Sequence, residues 1–404
     1  MGKVVITEIK NSILVSQIGE KRPEVFHVFP KPTEHDMVGN IYVGRVQEIV
    51  TGIDAAFVSI LPGQKTFLPL QKEKSVHLLN RVYDGTIKPG DELLVQVDRM
   101  GQGMKLPTVT DYVELVGQYV ICHIYQSGVS YSNKLSKEKR AAVKEALAQY
   151  PIPGRREFGF TIRTNVELLS ENTPVFEEMK KFITIAEKIK ETAAFRSIHT
   201  CVYRAKPEYI RYLEGIPKGN YERIITQNEM IYQTLTENFA AEQIEFYRDD
   251  AYSLEKLYSL KTFLSEALGK RVWLPGGGYL VIEPTEAMTV IDVNSGKGSD
   301  RKGKDKEQVA YDTNLEAAKE IARQLRIRNC MGMIMVDFIN MEETSHKTKL
   351  MQILDTYLQE DMQRCRVVDM TPLGIVEITR KKFSKPLKEC RFVKHVLHRC
   401  QIIH

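Results

Sequence analysis

Two aspartates, Asp292 and Asp337, each close a short apolar run: AMTVIDVNSG (residues 287–296) and MGMIMVDFINM (331–341). Both runs are β-branched and of strand length, and an ionised carboxylate is costly inside a buried strand. At a strand end it can face a cleft and hold a hard cation instead. Asn294, two residues after Asp292, belongs to the same face because strand side chains alternate with period two. Two carboxylates and an amide oxygen suit Mg²⁺, which prefers oxygen donors and keeps several waters. The structural alternative is that each aspartate caps whatever follows its strand.

The elements between the aspartates follow from periodicity. Tyr311, Leu315, Ala318, Ala322 and Leu325 recur at spacings of four and three, one apolar stripe on a helix. Its exposed face is expected to be charged, with Glu316, Lys319, Glu320, Arg323 and Arg326. Strand, crossover helix and strand make a βαβ unit, which places both carboxylates at carboxyl ends of sheet strands. The turn LPGGG (274–278) leads into this unit through a hairpin of GYLVIEP and AMTVIDV. It is not a phosphate-binding P-loop, because no Lys-Ser or Lys-Thr follows the glycines, and GKG at 296–298 fails the same test.

Upstream the texture changes. The first 30 residues alternate as a short antiparallel meander, ended by FPKPTEHDM. From Val38, short strands separated by glycines (NIYVGRVQEIV, IDAAFVSIL, TFLPL, DELLVQVDRM) suggest a small barrel of the OB type within about 75 residues. Phe57 and Phe67 are its notable aromatics. An isolated Phe is more often core; Arg45, Lys65 and Lys105 nearby weaken that reading and leave stacking on bases of single-stranded nucleic acid open beside it. Residues 119–205 open with YVICHIY. A helix follows over 136–149 with Ser136 as cap, then the strand GFTIRT (159–164), then a helix over 174–194. Arg163 and Thr164 at that strand end can both donate to one phosphate. Residues 206–273 are poorly patterned, with a helix expected only over 252–268.

Composition sets the outer bounds. The chain has 404 residues, 43% hydrophobic and 27% charged, as in an ordinary globular protein of two to four domains. No apolar stretch reaches the ~18 residues of a membrane span, and the N-terminus carries charges a secretory signal lacks, so a cytoplasmic location is expected. Net charge is +5, unevenly spread. KGSDRKGKDK (297–306) and the stretch 380–400 are strongly basic, and basic surface near a metal site suits a polyphosphate substrate. The six cysteines contain no CxxC pair, which fits a reducing compartment. Cys390, His395, His398 and Cys400 cluster in CRFVKHVLHRC but match no zinc-finger spacing.

The strings EAMTVIDVNSG, TNLEAAKEIARQLRIRN and GMIMVDFINM together resemble the catalytic core of the ribonuclease E/G family of bacterial endoribonucleases. NIYVGRV, DAAFVSI and TFLPL resemble that family's OB-type RNA-binding module, and GFTIRT resembles its sensor for RNA 5′ ends. The resemblance runs to about Lys382. It implies a mixed α+β and α/β multidomain fold. An RNase H-like subdomain (1–36 with 206–278) carries the inserted OB-fold barrel (37–118) and 5′-sensor (119–205). A DNase I-like catalytic subdomain (279–382) and an atypical basic tail (383–404) follow. It further implies that Asp292 and Asp337 bind Mg²⁺ and that Asn294 positions the scissile phosphate or the metal's water. Phe57, Phe67 and Lys105 would hold RNA, and Arg163 and Thr164 a 5′-monophosphate. The implied activity is Mg²⁺-dependent cleavage of single-stranded, A/U-rich RNA to 5′-phosphate and 3′-hydroxyl ends. The implied roles are rRNA processing and mRNA decay. The rival reading is a non-catalytic RNA-binding or assembly factor with the same fold.

Two departures stand out. Family members close the catalytic region with a Cys-Pro-x-Cys motif that joins two protomers through zinc; here only Cys390 is near that place, so no Zn²⁺ site is expected and a homodimer or tetramer built on one is in question. Truncation and a change of reading frame after Cys390 are both open at this point. Pro372 stands where the best-known members carry an arginine, and Arg380, Lys381 and Lys382 are the candidates for supplying that charge.

Overall fold

A computed structural model describes all residues except 1, 21, 34–36, 71–75, 102–104, 218, 250, 297–304, 382–384 and 391–404. The chain divides into two compact units, one formed by residues 1–31 with 220–404 and the other by 32–219.

The first unit begins with β1 (Gly2–Ile9), β2 (Ser12–Ile18) and β3 (Pro23–Pro30), an antiparallel meander as the alternation predicts. Val4, Val5, Ile6, Leu14 and Phe26 are buried in it.

In the second unit, β4 (Ile41–Val50), β5 (Ala55–Leu61), β6 (Gln64–Pro69), β7 (Glu92–Arg99) and β8 (Thr108–Thr110) close on themselves, because β4 pairs with both β5 and β7. This five-stranded barrel is OB-like. Its interior is filled by Val46, Ala56, Val58, Leu68, Leu93, Val95 and Val97. Gly44 is required there, since a Cβ would lie 2.7 Å from a Val58 methyl.

A separate sheet of the same unit holds β9 (Glu114–Val116), β10 (Val120–His123), β11 (Gly128–Tyr131) and β12 (Gly159–Ile162), in the order β11-β12-β10-β9. Helix α1 (Lys137–Gln149) lies between β11 and β12 in sequence, and its cap is the expected Ser136, whose Oγ accepts from Lys139 N at 3.1 Å. Helix α2 (Thr173–Phe195) buries Val175, Met179, Phe182, Ile183, Ala186 and Ile189 in the core shared with this sheet. β13 (Cys201–Tyr203) adds to the barrel edge at β4, and α3 (Glu208–Gly215) ends the unit.

The chain then returns to the first unit. β14 (Tyr221–Thr226) pairs parallel with β1, α4 (Glu229–Thr236) follows, and β15 (Ile244–Phe246) completes a five-stranded sheet ordered β15-β14-β1-β2-β3. The helix expected over 252–268 is two helices, α5 (Leu254–Leu257) and α6 (Leu260–Leu268). Ser259 sits between them at φ +48°, a left-handed conformation that ends one helix before the next begins.

The last sheet has six strands in the order β16-β17-β18-β19-β21-β20. They are β16 (Arg271–Trp273), β17 (Tyr279–Pro284), β18 (Met288–Asn294), β19 (Gly332–Asp337), β20 (Cys365–Met370) and β21 (Ile375–Arg380). Helix α7 (Lys306–Ile327) connects β18 to β19, and α8 (Thr344–Gln359) connects β19 to β20. β18 and β19 are parallel, so the expected strand-helix-strand unit is present. Ile291, Val293, Ile334, Val336, Val376 and Ile378 face one side and are buried with residues of α7 and α8.

Candidate active site

Among the described residues the six-stranded sheet is covered by helices on one face only, and that asymmetry positions the acids. Along β18, Ile291 and Val293 point into the helices; Val290, Asp292 and Asn294 point the other way and stay partly accessible. On β19 the same alternation buries Ile334 and Val336 and exposes Asp337. Asp292 and Asp337 are direct register partners on adjacent parallel strands, a separation of about 4.8 Å between strands. Their side chains share the open face. Asn294 donates from Nδ2 to Oδ2 of Asp292 at 2.6 Å, which fixes the orientation of that carboxylate. All three predicted residues are therefore brought together.

This set could hold a hard divalent cation. No group of three or more His, Cys, Asp and Glu side chains with metal-ligand geometry occurs among the described residues. Two carboxylates on an open face are too few for an all-protein cage. One or two carboxylates together with water and substrate phosphate are the kind of set that can hold Mg²⁺.

The glycine turn before β17 serves packing. Gly276 N donates to Glu316 Oε2 at 2.8 Å, tying the turn to α7. Gly296, at φ +76°, lies so near that a Cβ would stand 2.3 Å from the carbonyl oxygen of Gly277. A Cβ on Gly278 would stand 2.8 Å from the carbonyl oxygen of Asn294. Close approach of two backbones is the reason for these glycines. The basic run that follows, 297–304, falls outside the described residues.

Arg380 corrects an expectation. It is only 2% exposed, and its guanidinium bonds Asp361 Oδ2 at 2.7 Å, Asn329 Oδ1 at 2.8 Å and Cys330 O at 2.9 Å. Placed on the helix-facing side of β21, it is a core ion pair and cannot supply charge to a substrate. Lys381 is exposed, Lys382 lies outside the described residues, and Pro372 sits exposed in the turn joining β20 to β21.

In the barrel, Phe57 and Phe67 are opposite partners on β5 and β6, half-buried, with ring centroids 6.2 Å apart edge to face. Their neighbours Ala56, Val58 and Leu68 fill the interior, so the two rings belong to the outer surface. Lys65 Nζ lies 3.9 Å from the Phe57 ring centroid and pairs with Glu48. Lys105 is exposed on the segment leading to Thr108, the register partner of Phe67. An aromatic pair with a lysine over it is a surface on which bases can stack.

β12 stops at Ile162, two residues short of the expected strand end; Arg163 and Thr164 follow it, Thr164 opening a short 3-10 turn, and both are already engaged. The Arg163 guanidinium donates to Gly117 O, and Thr164 Oγ1 is 2.9 Å from Ser132 Oγ. Burial holds the Arg163 pKa below its usual value, opposed by the carboxylates of Glu178, Glu214 and Glu114. Glu178 accepts from the backbone N–H of Gln118, Tyr119 and Val120 at 2.7–2.8 Å, clamping the turn that presents Gly117 O. Burial raises the Glu178 pKa against the pull of those three donors. Sequence reasoning missed the roles of Glu178 and Glu316, since each looks like an ordinary solvated glutamate, and it placed Glu320 and Arg323 on an exposed face of α7 where both are buried and paired at 2.8 Å.

Of the cysteine-histidine cluster, Cys390 alone is described. It is buried, and burial pushes its thiol up to about 11. His395, His398 and Cys400 lie outside the described residues. The five described cysteines are free thiols. No helix among the described residues is long and apolar enough to cross a membrane.

Comparison with known proteins bears on the whole arrangement. A sequence model of the Ribonuclease E/G family matches residues 114–383. Ribonuclease E of Nostoc sp. is 33% identical over 374 residues, covering 88% of this chain and 53% of the relative. Ribonuclease G of Salmonella typhimurium is 30% identical over 390 residues, covering 91% of this chain and 76% of the relative. Ribonuclease E of Escherichia coli is 28% identical over 392 residues, covering 91% and 35%. The chain thus spans about half of the Nostoc ribonuclease E and about a third of the Escherichia coli one.

Proposed function

The chain belongs to the ribonuclease E/G family, and on that footing we propose that it is a bacterial endoribonuclease that hydrolyses single-stranded, A/U-rich RNA with Mg²⁺. The observation that carries this reading is the register pairing of Asp292 with Asp337 on an open sheet face, with Asn294 bonded to the first. Asp292 and Asp337 would hold the ion, which when bound would supply Lewis-acid stabilisation of charge on the phosphate and acidify a water. Asn294 keeps the Asp292 carboxylate turned to the open face. Phe57 and Phe67 stack on bases, and Lys105 neutralises backbone phosphate. Arg163 and Thr164 read a 5′-monophosphate, which anchors the substrate and so raises turnover. In-line displacement at phosphorus leaves 5′-phosphate and 3′-hydroxyl ends. The cellular work proposed is ribosomal RNA maturation and mRNA turnover in the cytoplasm. Within this reading, 1–36 with 206–278 is the RNase H-like part and 279–382 the DNase I-like part.

End-group analysis of products from a 5′-monophosphorylated RNA tests this. The expected result is Mg²⁺-dependent cleavage of RNA, none of single-stranded DNA, and 5′-phosphate ends; RNA binding without cleavage would leave the non-catalytic rival standing.

A further inference from the structure

We propose that Asn314 is a positioning residue for Asp337, acting through the backbone two residues further on. Asn314 is completely buried on α7, on the face of the apolar stripe. Its amide is bonded at both ends to one residue. Nδ2 donates to Ile339 O at 2.8 Å, and Oδ1 accepts from Ile339 N at 3.0 Å. A planar amide satisfied twice by a single residue fixes both the place and the tilt of that residue's peptide groups. Sheet pairing on β19 ends at Asp337, whose partners are Asp292 and Ile375. Beyond it, strand pairing no longer determines the path, and Asn314 takes over two residues later.

One helical face along, Glu307 continues the job. Its carboxylate accepts from the N–H of Glu342 at 2.9 Å and of Glu343 at 3.2 Å, and its Oε1 is 3.0 Å from His346 Nδ1. The segment leaving Asp337 is therefore latched to α7 at two points seven residues apart. Mg²⁺ demands near-ideal geometry at roughly 2.0–2.1 Å from its ligands. An exposed carboxylate at the last residue of a strand meets that demand only if the chain after it is held. The bland account is that Asn314 is a buried polar side chain that found partners. It predicts a change in stability but none in metal affinity.

The inference rests on the metal reading of Asp292 and Asp337, and the experiment separates the two. Full-length wild-type and Asn314→Leu proteins are compared by Mn²⁺ binding, read by electron paramagnetic resonance without RNA, and by amide hydrogen exchange over 338–343. The expected result for folded Asn314→Leu protein is faster exchange across that segment and Mn²⁺ binding about tenfold weaker or more. A folded variant with unchanged Mn²⁺ affinity overturns the proposal. Wild-type protein supplies a measurement that needs no variant: 338–343 exchanges as slowly as β19, and exchange at the rate of an open loop also overturns it. Absence of Mn²⁺ binding by wild-type protein instead contradicts the metal reading itself, and exchange still decides the latch.

Discussion

Asp292 and Arg380 illustrate how differently two charged side chains at the same sheet can be used. Asp292 faces the open side. Arg380, on β21, faces the helices and is enclosed by Asp361, Asn329 and the Cys330 carbonyl. Removing one partner of such a pair leaves an uncompensated buried charge. Asp361→Ala is therefore expected to lower stability by about 3–5 kcal/mol, read as a shift in the urea midpoint; a loss below ~1 kcal/mol would show that the pair is solvated. Phe57→Ala, on the barrel's outer surface, is expected to weaken single-stranded RNA binding by about 1–3 kcal/mol while leaving the melting curve nearly unchanged. A large stability loss without an affinity loss would return Phe57 to the core. At this scale the placement of the acids at paired strand ends was legible, because the apolar runs that carry them are of strand length. Arg380 was not. In RKK it reads as a solvated cation, and only the alternation of β21 together with Asp361 from a distant turn buries it.

Elements were legible where one periodicity ran long. Helices α1 and α2 end within one residue of the sequence reading, α1 with the recognisable cap Ser136, and α7 spans the apolar stripe read from 311 to 325. Ser136 both accepts from Lys139 N and donates to Glu167 Oε1 at 2.6 Å. Ser136→Ala should cost about 1 kcal/mol, measurable by chemical denaturation, whereas Ser136→Asp should retain the cap bond. Residues 206–273 hid β14, β15, α4 and the break at Ser259. Each piece there is short, and β14 is defined by pairing with β1, more than two hundred residues away, which no local pattern records. The reason for the glycines of 276–278 was out of reach of the sequence, because it lies in the approach of Gly296 and the carboxylate of Glu316.

For the molecule as a whole, the barrel and the strand-helix-strand unit could be read in outline, and the family strings supplied the order in which they are joined. What no string carried was the burial of individual titratable groups. His27 on β3 is one. Burial first, and then the charge of Arg380, lowers its pKa from 6.5 to about 3. The unfolded chain therefore binds the proton first as pH falls. The His27 contribution is fully present above about pH 6.5 and is lost progressively as pH drops toward 3. Between pH 7 and pH 5 that loss amounts to about 2 kcal/mol. His27→Leu should flatten the acid limb of stability by that amount, and an unchanged limb would place the titration elsewhere.

The central claim is that the paired aspartates are the catalytic metal site, and the most direct test is cleavage of a 5′-monophosphorylated single-stranded RNA in Mg²⁺ by Asp292→Asn and Asp337→Asn proteins. Both changes keep side-chain size on an open face, so both variants should fold, as checked by circular dichroism. Each is expected to lose cleavage by on the order of a hundredfold or more while retaining RNA binding. Near wild-type cleavage by either folded variant would contradict the account.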